Sequence, residues 1–103
     1  MDELAAIMNT ALECQNQGRL DEAEAIYLKI IEIDASNAEA FHLLGLVYHA
    51  RGNFDHAAKA ISSAIIIEPG IAEFHANLSA TEISRGQPAL ANSHAQRAVE
   101  LDS

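Results

Sequence analysis

Five histidines, one cysteine and a scatter of serines are the residues of this chain that could bind a metal or move a proton. His42 and His49 lie seven positions apart, two helical turns, so they share a face but stand ~10 Å apart along its axis. Two ligands so spaced cannot grip one ion unless others converge on it, and His56, His75 and His94 complete no H-E-x-x-H or similar spacing. These histidines read as structural or exposed. Cys14 is the single cysteine, which excludes an internal disulfide and a cysteine-based zinc site. Within its apolar helical pattern it reads as a small packed hydrophobe, not a nucleophile. Ser62, Ser63, Ser79, Ser84 and Ser93 lack any nucleophile-elbow or triad context, and there is no glycine-rich phosphate loop. The expectation is a non-enzyme with no cofactor and no metal.

Charge narrows the partners. Fifteen acids against six bases leave a formal charge of −9. Nucleic-acid binding needs a basic stripe to release counterions, and six dispersed Lys and Arg cannot supply one. An anionic membrane surface would repel the chain for the same reason. No apolar stretch approaches the ~20 residues of a membrane span, and no basic-then-apolar leader stands at the start. A soluble, cytoplasmic protein or fragment is expected, with a neutral or basic protein or peptide as its partner.

The elements that must position any site follow from an internal repeat. Gly18, Gly52 and Gly86 are spaced 34 residues apart, and Ala23, Ala57 and Ala91 each follow five residues later. Residues 4–37 laid on 38–71 give seven identities, and 38–69 laid on 72–103 give another seven. A period of this length seen twice marks a repeat array, with units at about 4–37, 38–71 and 72–103 over a chain of 103 residues.

Each unit reads as two helices around its glycine. Leu4, Ile7, Ala11 and Leu12 share one helical face before Gly18; Ala23, Ile26, Tyr27, Ile30 and Ile31 share one after it. The glycines are suited to left-handed C-caps. Asp21 and Asp55 fall in first turns, where the helix dipole favours a negative charge, and Pro88 fits an early helical position. Ser36 with Glu39 forms an expected capping box. Predicted helices run near 2–17, 21–33, 37–51, 55–67, 71–85 and 88–101, with helix over roughly 75–85% of the chain and no strand. Ile66 stands where the other units carry Glu32 and Glu100 and is expected to be exposed.

The middle unit places Phe41, Leu44, Gly45 and Tyr48, then Ala57 and Ile61, then Ala64 and Pro69, at spacings that resemble the tetratricopeptide repeat signature. Ile7, Thr10, Ala11 and Cys14 occupy the first set of places in unit one, and His75, Leu78, Ser79 and Glu82 in unit three. The resemblance implies an all-α, right-handed superhelical solenoid of three antiparallel helix pairs, with Gly45 against a neighbouring helix at close range. It also implies a concave groove lined by the first helix of each pair. By register, the groove would be formed by Met8, Asn9 and Leu12 in unit one, and by Glu39, His42, Leu43, Leu46 and His49 in unit two. Glu73, Asn77, Ala80 and Ile83 would continue it in unit three.

Family members that clamp acidic chaperone tails use Lys, Arg and Asn at such positions, and no Lys or Arg stands here, which disfavours that ligand. Asn9 and Asn77 match instead the asparagine ladder of the O-linked N-acetylglucosamine transferase repeats, with Leu43 interrupting it. An asparagine amide both donates to and accepts from a peptide backbone. Met8, Leu12, Leu46 and Ile83 would add an apolar seam of the kind that marks binding sites. The rim is acidic: residues 1–36 hold eight acids and two bases.

Repeat arrays commonly close with a polar capping helix. On this reading Ala91, Ala95, Ala98 and Val99 form an uncapped outward face, so the chain is a piece of a longer protein or is covered by another copy. Three functions follow: an interaction module holding a peptide or helix in its groove, the substrate-recruiting repeats of a larger enzyme such as a glycosyltransferase, or a self-assembling scaffold, most simply a homodimer through the last helix.

Overall fold

Six helices and five short connections make up the described residues, and local signals set several of the helix ends. The structure is a computed structural model describing residues 3–102. The helices are α1 (Glu3–Asn16), α2 (Leu20–Ile33), α3 (Ala38–Ala50), α4 (Phe54–Ile67), α5 (Ala72–Ser84) and α6 (Pro88–Asp102). Helix covers 83% of the described residues, with no strand among them. The predicted boundaries agree to within one residue, except that a start for α1 at Asp2 lies outside the described residues.

The glycine cadence ends the first helix of every pair. Gly18, Gly52 and Gly86 have φ of 76°, 78° and 75°, the left-handed region that a side chain disfavours. Each is bridged by the same backbone bond, Arg19 N to Cys14 O, Asn53 N to Tyr48 O and Gln87 N to Glu82 O, which satisfies carbonyls that the helix end would orphan. The capping box expected at Ser36 and Glu39 is not formed. The helix starts at Ala38, so Asn37 is the cap and its side chain accepts from Ala40 N at 3.0 Å. Ser36 turns back instead, donating its N–H and hydroxyl to Asp34 Oδ1 at 3.1 and 2.7 Å.

Helices pack α1 on α2, α3 on α4 and α5 on α6, with α2 on α3 and α4 on α5 joining the pairs and α3 reaching α5. The result is a solenoid of three antiparallel helix pairs, 39 × 27 × 20 Å. Small residues meet inside each pair. Ala11 and Ala23 are fully buried in the first, Gly45 lies against Ala57 and Ile61 in the second, and Ser79 donates its hydroxyl to Ala91 O at 2.8 Å in the third. Ala91 is therefore buried within its own pair and is not part of an outward face. Its register equals that of Ala57, the pair-facing position, so the outward apolar surface of α6 is carried by Val99 and the exposed Ala95, with Ala98 half-buried. Cys14 is buried in the core as expected, and Ile66 is 82% exposed.

Ion pairs repeat with the same period. Arg51 binds Asp21, and Arg85 binds Asp55 at 3.0 Å, in both cases from the end of a first helix to the second helix of the preceding pair. Between the pairs, the first core cluster closes around Tyr27, which has no exposed surface and donates its hydroxyl to Gln15 Oε1 at 2.8 Å. Burial, then the nearby Glu39 and Cys14, pushes its pKa from 10.0 up to about 12. A phenol whose folded pKa is raised stabilises fully below its unfolded pKa and loses that contribution as pH rises through the folded value. Stability should therefore fall between pH 10 and 12, by ~2–3 kcal/mol at one tenfold step per 1.36 kcal/mol. Urea titrations across that window check this: Tyr27→Phe should remove the alkaline loss attributable to this hydroxyl, and an unchanged slope in that variant would refute it.

Candidate functional site

The expected groove residues lie on the first helices α1, α3 and α5, but not all at the surface. Asn9, Glu39, Glu73, Ala80 and Ile83 are exposed, and Ile83 keeps 65% of its surface. Met8, Leu12, Leu46, His49 and Asn77 are half-buried. Met8, Leu12 and Leu46 rest with one side on the first core cluster and leave the other open. Of the four apolar side chains Met8, Leu12, Leu46 and Ile83, Ile83 is the most exposed.

His42 and Leu43 lie beneath that surface. Leu43 belongs to the first core cluster beside Leu44 and Val47. His42 is 1% exposed, its ring tilted against Phe74 at 4.6 Å between centroids. Asn77 Nδ2 donates to His42 Nε2 at 2.7 Å, so the ring's proton sits on Nδ1, which points toward Glu39 Oε1 at 3.6 Å. Asn77 thus spends one donor on the floor and keeps its carbonyl oxygen for the surface. Asn9 has no such partner. One buried histidine joins α3 to α5 and leaves Glu39 and Asn77 flanking it at the rim.

The remaining histidines are in contact with neighbouring groups, His94 with the His75 ring at 6.4 Å between centroids. His75 is buried and donates from Nε2 to Pro69 O at 2.9 Å. His49 stands edge-on to Phe54 at 5.0 Å, and His56 packs beside Tyr48 at 5.4 Å. Among the described residues, no group of three His, Cys, Asp or Glu side chains is placed to hold a metal ion. No helix among them is long and apolar enough to cross a membrane.

Glu82, placed by register among the signature positions of unit three but given no role there, is unusual. It occupies the place of Tyr48 and Cys14, is 3% exposed, and accepts from Arg85 Nη1 through both oxygens at 3.0 and 3.2 Å. The signal was a charged residue at a register position that is apolar or aromatic in the other units.

A short two-helix unit, repeated and stacked along the chain, defines a helical-repeat solenoid of the class that builds extended binding surfaces. A family model described as "TPR repeat" matches residues 12–52, and one described as "Tetratricopeptide repeat" matches residues 38–70. Together they cover more than half of the sequence, and the chain belongs to the tetratricopeptide repeat family, with about three repeats. No curated protein matches it.

Solved structures are similar throughout. The Yersinia enterocolitica type III secretion chaperone SycD in complex with a peptide of the translocator YopD superposes with a TM-score of 0.94 at 22% identity, over 98% of this chain and 77% of that one. The first TPR of Spaghetti (RPAP3) bound to an HSP90 peptide gives 0.93 at 18% identity, over 96% and 79%. A Thermobaculum terrenum O-GlcNAc transferase mutant gives 0.86 at 30% identity, over 98% of this chain and 20% of that one.

Proposed function

We propose that this chain is a non-enzymatic protein-interaction module, one array of three repeats, whose concave surface holds a neutral or basic peptide or helix. The observation that carries the reading is the set of part-open apolar side chains Met8, Leu12, Leu46 and Ile83 on the helices that also carry Asn9, Asn77, Glu39 and Glu73, without a single Lys or Arg among those positions. Apolar area supplies affinity, the amides hold a peptide backbone, and the carboxylates select charge. The peptide complexes of SycD and of RPAP3 support the mode of binding. The RPAP3 ligand, SRMEEVD, carries three acids; with no cation to meet them, the groove of this chain is suited to the opposite sign.

An array of neutral, acidic and basic peptides probed with the full chain tests this. Basic and neutral apolar peptides should be retained and acidic ones should not. For a retained peptide, Leu46→Lys and Ile83→Lys should each weaken binding about tenfold or more, which is ~1.4 kcal/mol, with little change in the melting temperature. Asn9→Ala and Asn77→Ala should weaken it less, Asn77→Ala also loosening His42. Unchanged affinity in all four would move the site off this face.

A second reading is favoured by one comparison. The identity of 30% with the O-GlcNAc transferase extends over 98% of this chain, and the sequence resemblance matches Asn9 and Asn77, though not Leu43, to the asparagine ladder of such repeats. On that reading the array recruits substrate for a catalytic domain elsewhere in the same polypeptide. A native gene encoding a transferase domain in frame would establish it, and a gene without one would exclude it.

A further inference from the structure

At the α5–α6 end of the array lies a depression of about 470 Å³, lined by Ala72, Glu73, Ala76, Ala98, Val99 and Asp102. Each of these stands 34 residues after a member of an inner set, Ala38, Glu39, His42, Ala64, Ile65 and Glu68. The inner set is occupied. Phe74, 2% exposed, is clustered with Ala38 and Ala64, with Ile65 packed against them and the His42 ring on its face. The end depression is therefore the same seat, one repeat further on, with no helix among the described residues seated in it.

Side-chain sizes in successive seats show what belongs there. In the first, the corresponding lining includes Leu4, Met8, Ile30 and Ile31, all large, and the residue at Phe74's register is Ala40, a methyl group buried in that same cluster. In the second, the lining shrinks to two alanines, His42 and Ile65, and the incoming side chain grows to a phenyl ring. Interiors pack to constant density, so lining and incoming side chain trade volume. In the end seat the lining shrinks again, since Ala76 replaces His42 and Val99 replaces Ile65. The side chain that fills it must be at least as large as Phe74. A second copy stacked head to tail would present Ala6, the residue at that register in its first helix, and would leave the seat hollow.

We infer that the α5–α6 end is a second interaction site, adjoining the concave surface at Glu73, which docks a helix of a partner protein bearing a tryptophan or phenylalanine at the position of Phe74 and Lys or Arg beside it. Glu73 and Asp102 supply the charge at its mouth, with no basic residue in the lining. Helix docking by one deep aromatic anchor within an apolar seat is a mode that gives high affinity from few residues.

The probe is a stapled helical peptide copying the α5 stacking face, with Trp at the position of Phe74 and Lys in the flanking turn. Fluorescence anisotropy against the full chain should show saturable binding, at least tenfold weaker when the Trp is replaced by Ala and weaker still when Lys is replaced by Glu. Ala98→Glu should abolish binding. Ala76→Phe, at an exposed position that leaves the fold intact, should block the seat in the same way should Ala98→Glu lower helicity. Leu46→Lys should leave the affinity unchanged, which separates this site from the concave one. Equal binding of the Trp and Ala peptides, no saturable binding, undiminished binding to Ala76→Phe, or methyl shifts centred on Leu46 and Ile83 would each overturn the inference. So would a sedimenting dimer that Ala76→Phe dissociates, because the seat would then belong to a second copy.

Discussion

Gly45→Leu should destabilise the protein by ~3 kcal/mol or more, enough to unfold much of a domain of this size near physiological temperature. A Cβ added to Gly45 would lie 2.5 Å from Ile61 Cγ1 and 3.2 Å from Ala57 O. Neither neighbour can yield. Ala57 O belongs to the α4 backbone, and Ile61 has no exposed surface and is branched at its own Cβ, next to the atom in conflict. A leucine must therefore push α4 away from α3 and disrupt the core clusters to which the two helices contribute. Even Gly45→Ala should lower the melting temperature, although alanine is favoured over glycine in a helix by ~1 kcal/mol.

The origin of the effect can be isolated. Ile61→Ala alone should cost ~2–5 kcal/mol by leaving a cavity. Gly45→Ala in that background should cost nothing further or restore stability, because its methyl then enters the space vacated by Cγ1. Thermal unfolding by circular dichroism measures all four members of the cycle. Strict additivity would show that the helices are not in the contact described.

The second large effect is expected at Arg85. Its guanidinium satisfies both oxygens of the buried Glu82 while its Nε donates to Asp55 at 3.0 Å; the hydrogen bond to Asp55, then that to Glu82, raises its pKa. Arg85→Met preserves the aliphatic stem but strands a carboxylate that is only 3% exposed. An unpaired buried charge is far more damaging than the loss of the pair as a whole. The melting temperature should fall by several degrees in Arg85→Met and recover in Glu82→Leu/Arg85→Met. Recovery follows because apolar replacement of a buried pair is commonly neutral or stabilising. Arg51→Met has no buried acid to strand and should do less. Equal effects at the two arginines would sink this account.

Most of the architecture was legible because it depends on periodic, local signals. Three glycines at one spacing end three helices, and alternation of apolar positions between them sets which helix faces meet. The rotation of each helix about its axis was harder to read, and that is where expectations shifted. His42 was read on the ligand-facing side, but a small turn of α3 places it under Phe74 and Asn77, contacts 32 and 35 residues away. Ala91 was read as outward from its alanine spacing, yet it shares the register of Ala57 and is taken up by Ser79. At the start of α3, a one-residue change in where the helix begins transferred the cap from Ser36 to Asn37. Leu12 and Leu46, 34 apart, are both half-buried at equivalent places, whereas Met8 and Ile83 share their registers with His42 and His49.

The modest anchoring of α6, which buries only Ala91 of its fifteen residues, has a kinetic consequence. Segments in a stacked array open from the ends, each held only by its neighbours. With one buried side chain and a hydroxyl bond from Ser79 to hold it, α6 should be the least protected helix in amide hydrogen exchange, while α3, with seven buried residues, exchanges only on global opening. In such a hierarchy the middle pair nucleates and the terminal helix docks last. A ligand seated across α5 and α6 would close the weakest joint of the array and slow the exchange of amides that it never touches.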